Sequence, residues 1–187
     1  MILTRSAIDG RRANHDVVID PPPLPEHCGP NSIDLHLGAR LVRYRRPSLW
    51  ERLKWLLRGN LGPPPLDPAN LPPLEMVPMI GGRWLLRPGE LYLAETLEWT
   101  ETRNLVPVVD GRSSTGRIGV GVHVTAGRGD VGFRGRWTLE VWCVQAVWIW
   151  PGMRALQITY HEIQGSPEDY TGQYQGARRV MPSGGQW

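Results

Sequence analysis

GRSSTGRIGVGVHVTAGRGDVGFRGRWTLE, residues 111–140, is the stretch whose reading decides the fold and the chemistry of this chain. Its first part, residues 111–117, sets the hydroxyls of Ser113 and Ser114 beside Arg112 and Arg117, with glycines that let backbone N–H groups approach an anion. Guanidinium forks and hydroxyl donors suit phosphate oxygens, although taken alone such a motif is a turn with serines. Residues 120–126 alternate like a strand. Residues 127–135 place four glycines around Asp130, the pattern of a hairpin turn whose backbone is free to contact a ligand. By default an aspartate there makes an Asx bond. A second strand follows and carries Glu140. Trp137, Leu139 and Val141 adjoin it in sequence, so its carboxylate is expected against apolar surface, where burial would raise its pKa toward that of a general acid/base.

Outward from this stretch, strands recur. Gly (22) and Pro (18) are abundant while helical periodicity is scarce, which favours many short strands joined by turns. Strands are expected at 17–19, 31–41, 76–80, 83–87, 90–98, 105–109, 117–125, 135–150 and 153–163. Ile33, Leu35 and Leu37 alternate with Ser32, Asp34 and His36, and His36 reads as a polar-face residue. Residues 1–13 suit a short helix with Thr4 as N-cap. The fold class is mainly β: a distorted antiparallel β-barrel or jelly-roll-like domain with short peripheral helices. No Gly-rich βαβ unit is present, so a dinucleotide-binding fold is excluded.

Two segments stand apart. In residues 44–74, Ser48 and Glu51 fit a capping box, Trp50, Leu53, Trp55, Leu56 and Leu57 form an apolar helical face, and Gly59 can end the helix. Arg45, Arg46, Arg52, Lys54 and Arg58 make it basic. The helix is expected to pack on its own subunit or a neighbour rather than a membrane, because one short helix anchors weakly. Residues 62–74 form a stiff, Pro-rich connector. Residues 165–187 carry no core pattern and are expected to be mobile. The domain reading is therefore one β domain, 1–164, with an inserted segment at 44–74 and a C-terminal tail at 165–187.

The chain has 187 residues, enough for one domain with a real core. Its net charge of +3, with Arg outnumbering Lys, suits phosphate contacts but not a long nucleic acid. Nine tryptophans against one phenylalanine point to core and subunit contacts. Cys28 and Cys143 read as free thiols in a reducing cytoplasm. No apolar run spans a bilayer, and the N-terminus lacks a signal-peptide core. The H-x-E and P-C-x-x-C pattern of zinc deaminases is missing.

GRSS-x-x-R, H-x-TAG, D-x-GF-x-G and TLE in residues 111–140 stand in the order and spacing of the dCTP deaminase branch of the dUTPase superfamily, which the chain resembles. NSIDLHLG (31–38), RPGELYLAETLE (87–98), PGM-x-x-x-Q (151–157) and YTGQYQG (170–176) extend the resemblance over most of the chain. It implies a dUTPase-type fold, a homotrimer with sites at subunit interfaces, and a deoxynucleoside triphosphate substrate carrying Mg2+ on its phosphates. Carried over by motif, Ser113, Ser114 and Arg117 hold the triphosphate, with Arg112 structural or phosphate-binding. The backbone of Val124, Thr125 and Ala126 reads the pyrimidine edge, and Phe133 packs near the deoxyribose. Glu140 moves protons during attack of water at C4 of cytosine. Arg128 matches a basic residue of enzymes that only deaminate. Asp130 matches the aspartate that orients water on phosphorus in dUTPases. The tail, with Tyr170, Tyr174, Gln175 and Arg178, closes over the nucleotide.

The expected product order is dUTP from a dCTP deaminase first, dUMP and pyrophosphate from a bifunctional enzyme second, and a plain dUTPase third. A non-enzyme reading, a dNTP-binding regulatory trimer, stands beside them. The chain departs from the family's pattern at Gln173 (usually lysine), Ala177 (usually glutamine), Gly129 (usually branched apolar) and Val131 (usually proline or small). The glycine is expected to loosen the turn, and the changes leave room for a modified cytosine nucleotide.

Overall fold

The computed structural model describes residues 1–184. Twelve strands are formed: β1 (Val17–Asp20), β2 (Ile33–Tyr44), β3 (Leu74–Met76), β4 (Trp84–Leu86), β5 (Tyr92–Thr96), β6 (Trp99–Thr102), β7 (Leu105–Gly111), β8 (Val120–Gly121), β9 (Arg134–Gly135), β10 (Thr138–Cys143), β11 (Val147–Ile149) and β12 (Arg154–Glu162). Helices are α1 (Arg5–Ala13), α2 (Leu49–Leu57) and α3 (Ser113–Arg117). The main sheet runs β7–β12–β2–β5–β10–β8, with β3 paired to β2. A second sheet is β1–β6–β9, and a two-stranded arm is β11–β4. All pairings are antiparallel, as the mainly β reading requires.

Alternation places the core. Ile33, Leu35 and Leu37 of β2, Leu139 and Val141 of β10, and Leu156, Ile158 and Tyr160 of β12 are all buried. The expected strand 90–98 contains β5, while the small second sheet is built on β6, residues 99–102, where the sequence reading expects no strand. β5 stays in the main sheet, and β6 turns away to pair with β1. Buried Glu98 sits at that corner. Its carboxylate accepts the His36 N–H at 3.0 Å and lies 2.5 Å from His36 Nδ1, tying the corner to β2.

The expected strand 135–150 divides: Gly135 pairs with Thr100, Thr138 with Glu95, and Val147 with Leu86, each in a different sheet. Of the expected strand 117–125 only β8 pairs, since residues 113–117 are helical. α1 begins at Arg5, not at residue 1. The residues before it run beside β12, with Leu3 N–H donating to Tyr160 O at 2.9 Å. Thr4 sits at the N-cap, but its hydroxyl meets Ser6 Oγ instead of the helix amides.

The capping box of α2 forms in both directions. Glu51 N–H donates to Ser48 Oγ at 3.2 Å, and Ser48 N–H donates to Glu51 Oε2 at 2.6 Å. Gly59, at φ +80°, closes the helix with its N–H on Leu56 O. Packing on its own subunit is partial: Trp55 is half-buried, while Leu49, Trp50 and Leu57 are 82%, 72% and 77% exposed. Glu51 is engaged by Arg45, so the helix is held from its polar side, and most of its apolar side is uncovered. Cys28 and Cys143 are both free. Among the described residues no helix is long and apolar enough to cross a membrane.

Candidate active site

β10 carries the site because a strand has two faces. Leu139 and Val141 point into the core, so Thr138 and Glu140 must point the other way, with Arg136 two residues before them. Arg136, Thr138 and Glu140 line a cavity of 510 Å³, within the range that holds a small-molecule ligand. Ala126, Arg128, Asp130 and Phe133 join them from the loop after β8, and Tyr170 and Tyr174 from the C-terminal segment. Phe133 packs its ring on Trp137 at 4.8 Å and Tyr170 at 6.1 Å between centroids.

The alternation also corrects the expectation for Glu140. Its sequence neighbours Leu139 and Val141 lie on the opposite face and do not surround it. What does approach is polar. His123 Nδ1 stands 3.7 Å from Oε2, a charge-pair distance when the imidazole is protonated, and Val124 N–H donates to Oε2 at 3.0 Å. The imidazole is the largest influence, burial opposes it, and the Val124 and Thr125 amides add to it. Together they hold the carboxyl below its ordinary value, not above it. Glu140 is therefore a carboxylate at neutral pH. The side chain of His123 is only 10% exposed, and neither ring nitrogen has a hydrogen-bond partner among the described residues. The H-x-TAG motif contains this histidine, but its sequence context gives it no role. The geometry does.

Residues 127–133 do not form a tight hairpin. They lie along β7, with Val109 N–H donating to Gly127 O at 2.7 Å and Gly129 N–H to Pro107 O at 2.9 Å. Gly129 does not loosen this loop. A Cβ there would overlap the Trp137 indole, so the glycine makes room for a buried tryptophan whose Nε1–H donates to Thr100 Oγ1 at 2.9 Å.

The phosphate motif sits elsewhere. None of Arg112, Ser113, Ser114 or Arg117 lines the cavity. α3 is pinned by Thr115, whose buried hydroxyl donates to Ala155 O at 3.0 Å. Arg112 is committed to structure, with Nε 3.0 Å from Asp34 Oδ1 and Nη1 donating to Arg154 O. Ser113, Ser114 and Arg117 remain exposed. The side chains of Val124 and Thr125 are exposed, but their backbone runs beside the cavity: Val124 N–H donates to Glu140 Oε2 at 3.0 Å, and Ala126 lines the cavity.

The C-terminal segment is laid over the loop and the cavity. Tyr170 N–H donates to Val131 O at 2.7 Å, Arg136 N–H to Ala177 O at 2.7 Å, and Met181 N–H to Thr138 Oγ1 at 3.0 Å. Gln175 is spent on this seam. Its Oε1 accepts Arg134 N–H, and its Nε2 donates to Gly132 O and Tyr170 O. Gly132 at φ +77° lets the loop turn beneath Asp169, where a side chain would collide. Arg178 lies over the Trp99 ring at 5.9 Å and does not line the cavity. Arg136, which the motif reading does not name, lines the cavity and stands 3.8 Å from buried Glu95. Period-two spacing back from Glu140 was the signal that marked Arg136.

The dCTP deaminase-like family matches residues 2–163. "dCTP deaminase, dUMP-forming" of Hathewaya histolytica is 40% identical over 98% of this chain and 96% of its own length. Proteins of the same description from Cytophaga hutchinsonii and Clostridium beijerinckii are 41% and 45% identical, over 90% and 82% of this chain and 87% and 80% of theirs. The crystal structure of 2'-deoxycytidine 5'-triphosphate deaminase from Agrobacterium tumefaciens shares the fold, with a TM-score of 0.58 at 19% identity over 87% of this chain. The chain spans 48% of that one. With the family matched from end to end of the β domain, and whole-length relatives at this identity, the chain belongs to the dCTP deaminase-like family.

Proposed function

We propose that this protein deaminates dCTP and then cleaves the product to dUMP and pyrophosphate. The observation that carries this is one cavity lined by both Glu140 and Asp130, the two carboxylates the two steps need. The dUMP-forming description of the relatives supports it, and displaces dUTP as the first-ranked end product. In the first step Glu140, held as a carboxylate by His123 and the Val124 amide, takes a proton from water as its oxygen attacks C4. It then returns the proton to the departing amine: dCTP and water give dUTP and ammonia. In the second, Asp130 orients water on the α-phosphorus, and the bond to the β,γ-diphosphate breaks: dUTP and water give dUMP and pyrophosphate.

Arg128 and Arg136 bring positive charge to the cavity where phosphate oxygens would lie. Among the described residues no three His, Cys, Asp or Glu side chains gather as a metal cage. That fits Mg2+ riding on substrate phosphates with few protein ligands, where it offsets their charge. Exposed Ser113, Ser114 and Arg117 then serve a neighbouring subunit's cavity in a homotrimer, and the C-terminal segment acts as a lid that excludes water. The test is to incubate the protein with dCTP and Mg2+ and to follow ammonia, dUTP, dUMP and pyrophosphate. Ammonia with dUMP is expected. Asp130→Asn should release dUTP instead. Binding of dCTP with no product would leave only the regulatory reading.

A further inference from the structure

The two sides of Glu140 differ chemically. β10 lies between β8 and β5 in the main sheet. On the β8 side, the chain leaving that strand meets Glu140 with backbone polar groups: Glu140 N–H donates to Val122 O at 3.0 Å, and Val124 N–H donates to Oε2 at 3.0 Å. On the β5 side, the residue directly across from Glu140 is Leu93, and opposed side chains of an antiparallel pair share a face. Leu93 lines the cavity with Leu91, Tyr44, Leu66, Pro68 and Leu71. The last three come from the connector after α2, in the inserted segment that carries none of the family motifs found in the sequence.

Cytosine has the same asymmetry. C4 is flanked by N3, which leads to the polar O2 edge, and by C5, which leads to an apolar C–H edge. With C4 at Glu140, the two edges must point to opposite sides. Backbone amides suit the N3–O2 edge, and this leaves C5 toward Leu93. We propose that the wall of Leu93, Leu66 and Leu71 is a C5 subsite, and that the enzyme accepts dCTP bearing an apolar C5 substituent. This rests on the reading of Glu140 as the group acting at C4. The simplest such substrate is 5-methyl-dCTP. Water attacks its C4, ammonia leaves, and the product is dTTP, which the second step would cut to dTMP and pyrophosphate.

The experiment compares kcat/KM for dCTP and 5-methyl-dCTP in the wild-type protein and in Leu66→Trp/Leu71→Trp, which fills the wall from an exposed connector. A buried methyl is worth roughly a fourfold gain, so wild type should use 5-methyl-dCTP as well as dCTP or up to about fourfold better. The filled variant should lower the ratio of kcat/KM for 5-methyl-dCTP to that for dCTP by at least about tenfold. Leu66→Ser/Leu71→Ser, which adds no bulk, should remove the methyl preference and bring that ratio to about one or below. Wild type that turns over dCTP but uses 5-methyl-dCTP more than about a hundredfold worse overturns the subsite and leaves the function reading intact. Equal losses on both substrates in both variants also overturn it. No turnover of either substrate by wild type overturns the function reading itself, and the subsite with it.

Discussion

Residues 113–117 and residues 126–140 carry comparable polar chemistry, and the fold treats them in opposite ways. The second set is gathered inward: Asp130, Arg128, Arg136 and Glu140 share a cavity, and the C-terminal segment is hydrogen-bonded across it. The first set is fixed but empty-handed. Thr115 and Arg112 anchor α3 to β12 and β2, while Ser113, Ser114 and Arg117 are exposed and line no part of that cavity. On the proposed reading, Ser113, Ser114 and Arg117 add phosphate contacts to a cavity that only a second copy can bring to them. That division makes the two regions separable by mutation.

The largest effect should fall on the chemical half. Glu140→Gln keeps size and hydrogen bonding but cannot take up the water's proton. It should lower the rate of ammonia release by about 10²–10⁴-fold with dCTP binding kept within about tenfold, because phosphate contacts dominate affinity. Wild-type rates in this variant would sink the mechanism.

Next comes the division itself. Ser113→Ala/Arg117→Ala should be as inactive at low dCTP as Glu140→Gln. Co-refolding equal amounts of the two inactive proteins should then recover about one quarter of wild-type activity, since in a cyclic homo-oligomer that fraction of interfaces pairs two intact halves. No recovery, with mixed oligomers verified by mass, would place both halves within one chain.

A third test concerns the wall shared by the loop and β10. Gly129→Ala would push into the Trp137 indole. Overpacking of a tight site costs typically about 1–3 kcal/mol, which should lower Tm by several degrees. The penalty should shrink in a Trp137→Leu background, where the two changes couple through one space. Additive penalties would show that Trp137 is not what the glycine accommodates.

How much of this was legible in the sequence depends on whether a side chain's role is set by its own strand or by a distant one. Alternation in residues 31–41 placed the core face of β2 correctly, and Ser48 with Glu51 announced α2. The motif order named Asp130, Phe133 and Glu140, and all three do meet. What failed were inferences from adjacency. Adjacency makes Leu139 and Val141 the surroundings of Glu140, yet a strand sends them to the far face, and its real neighbour, His123, arrives from the chain just after β8, seventeen residues earlier. The strand at 99–102 is not legible because nothing local shows that Glu98 is drawn to His36 on β2 and turns the chain into a second sheet. Gly129 looked like a weakness because its partner, Trp137, lies across a loop. The apolar face of α2 gave its helix but not its partner, since propensity and capping fix a helix without fixing what covers it.

The smallest expected effect follows from that misplaced neighbourhood. His123 and the Val124 and Thr125 amides hold the Glu140 carboxyl below its ordinary value in the folded protein, while in the unfolded chain it returns to that ordinary value. A group depressed by folding adds stability wherever it is ionised in both states. That contribution is present at pH values above the unfolded value and is lost as pH falls through the lower, folded one. Glu140→Gln cannot ionise and lacks the contribution at every pH. The difference in Tm between wild type and Glu140→Gln should therefore be constant near neutrality, amount to a few degrees at most, and narrow as pH falls below about 4. Thermal denaturation of both proteins by circular dichroism from neutral to acidic pH measures it. Had burial raised the carboxyl's pKa, as its apolar sequence neighbours suggested, ionisation would oppose folding and the variant would gain on wild type as pH rose. A gap that moves in that direction would show that the apolar reading of this strand was right and that the His123 contact does not govern the charge of Glu140.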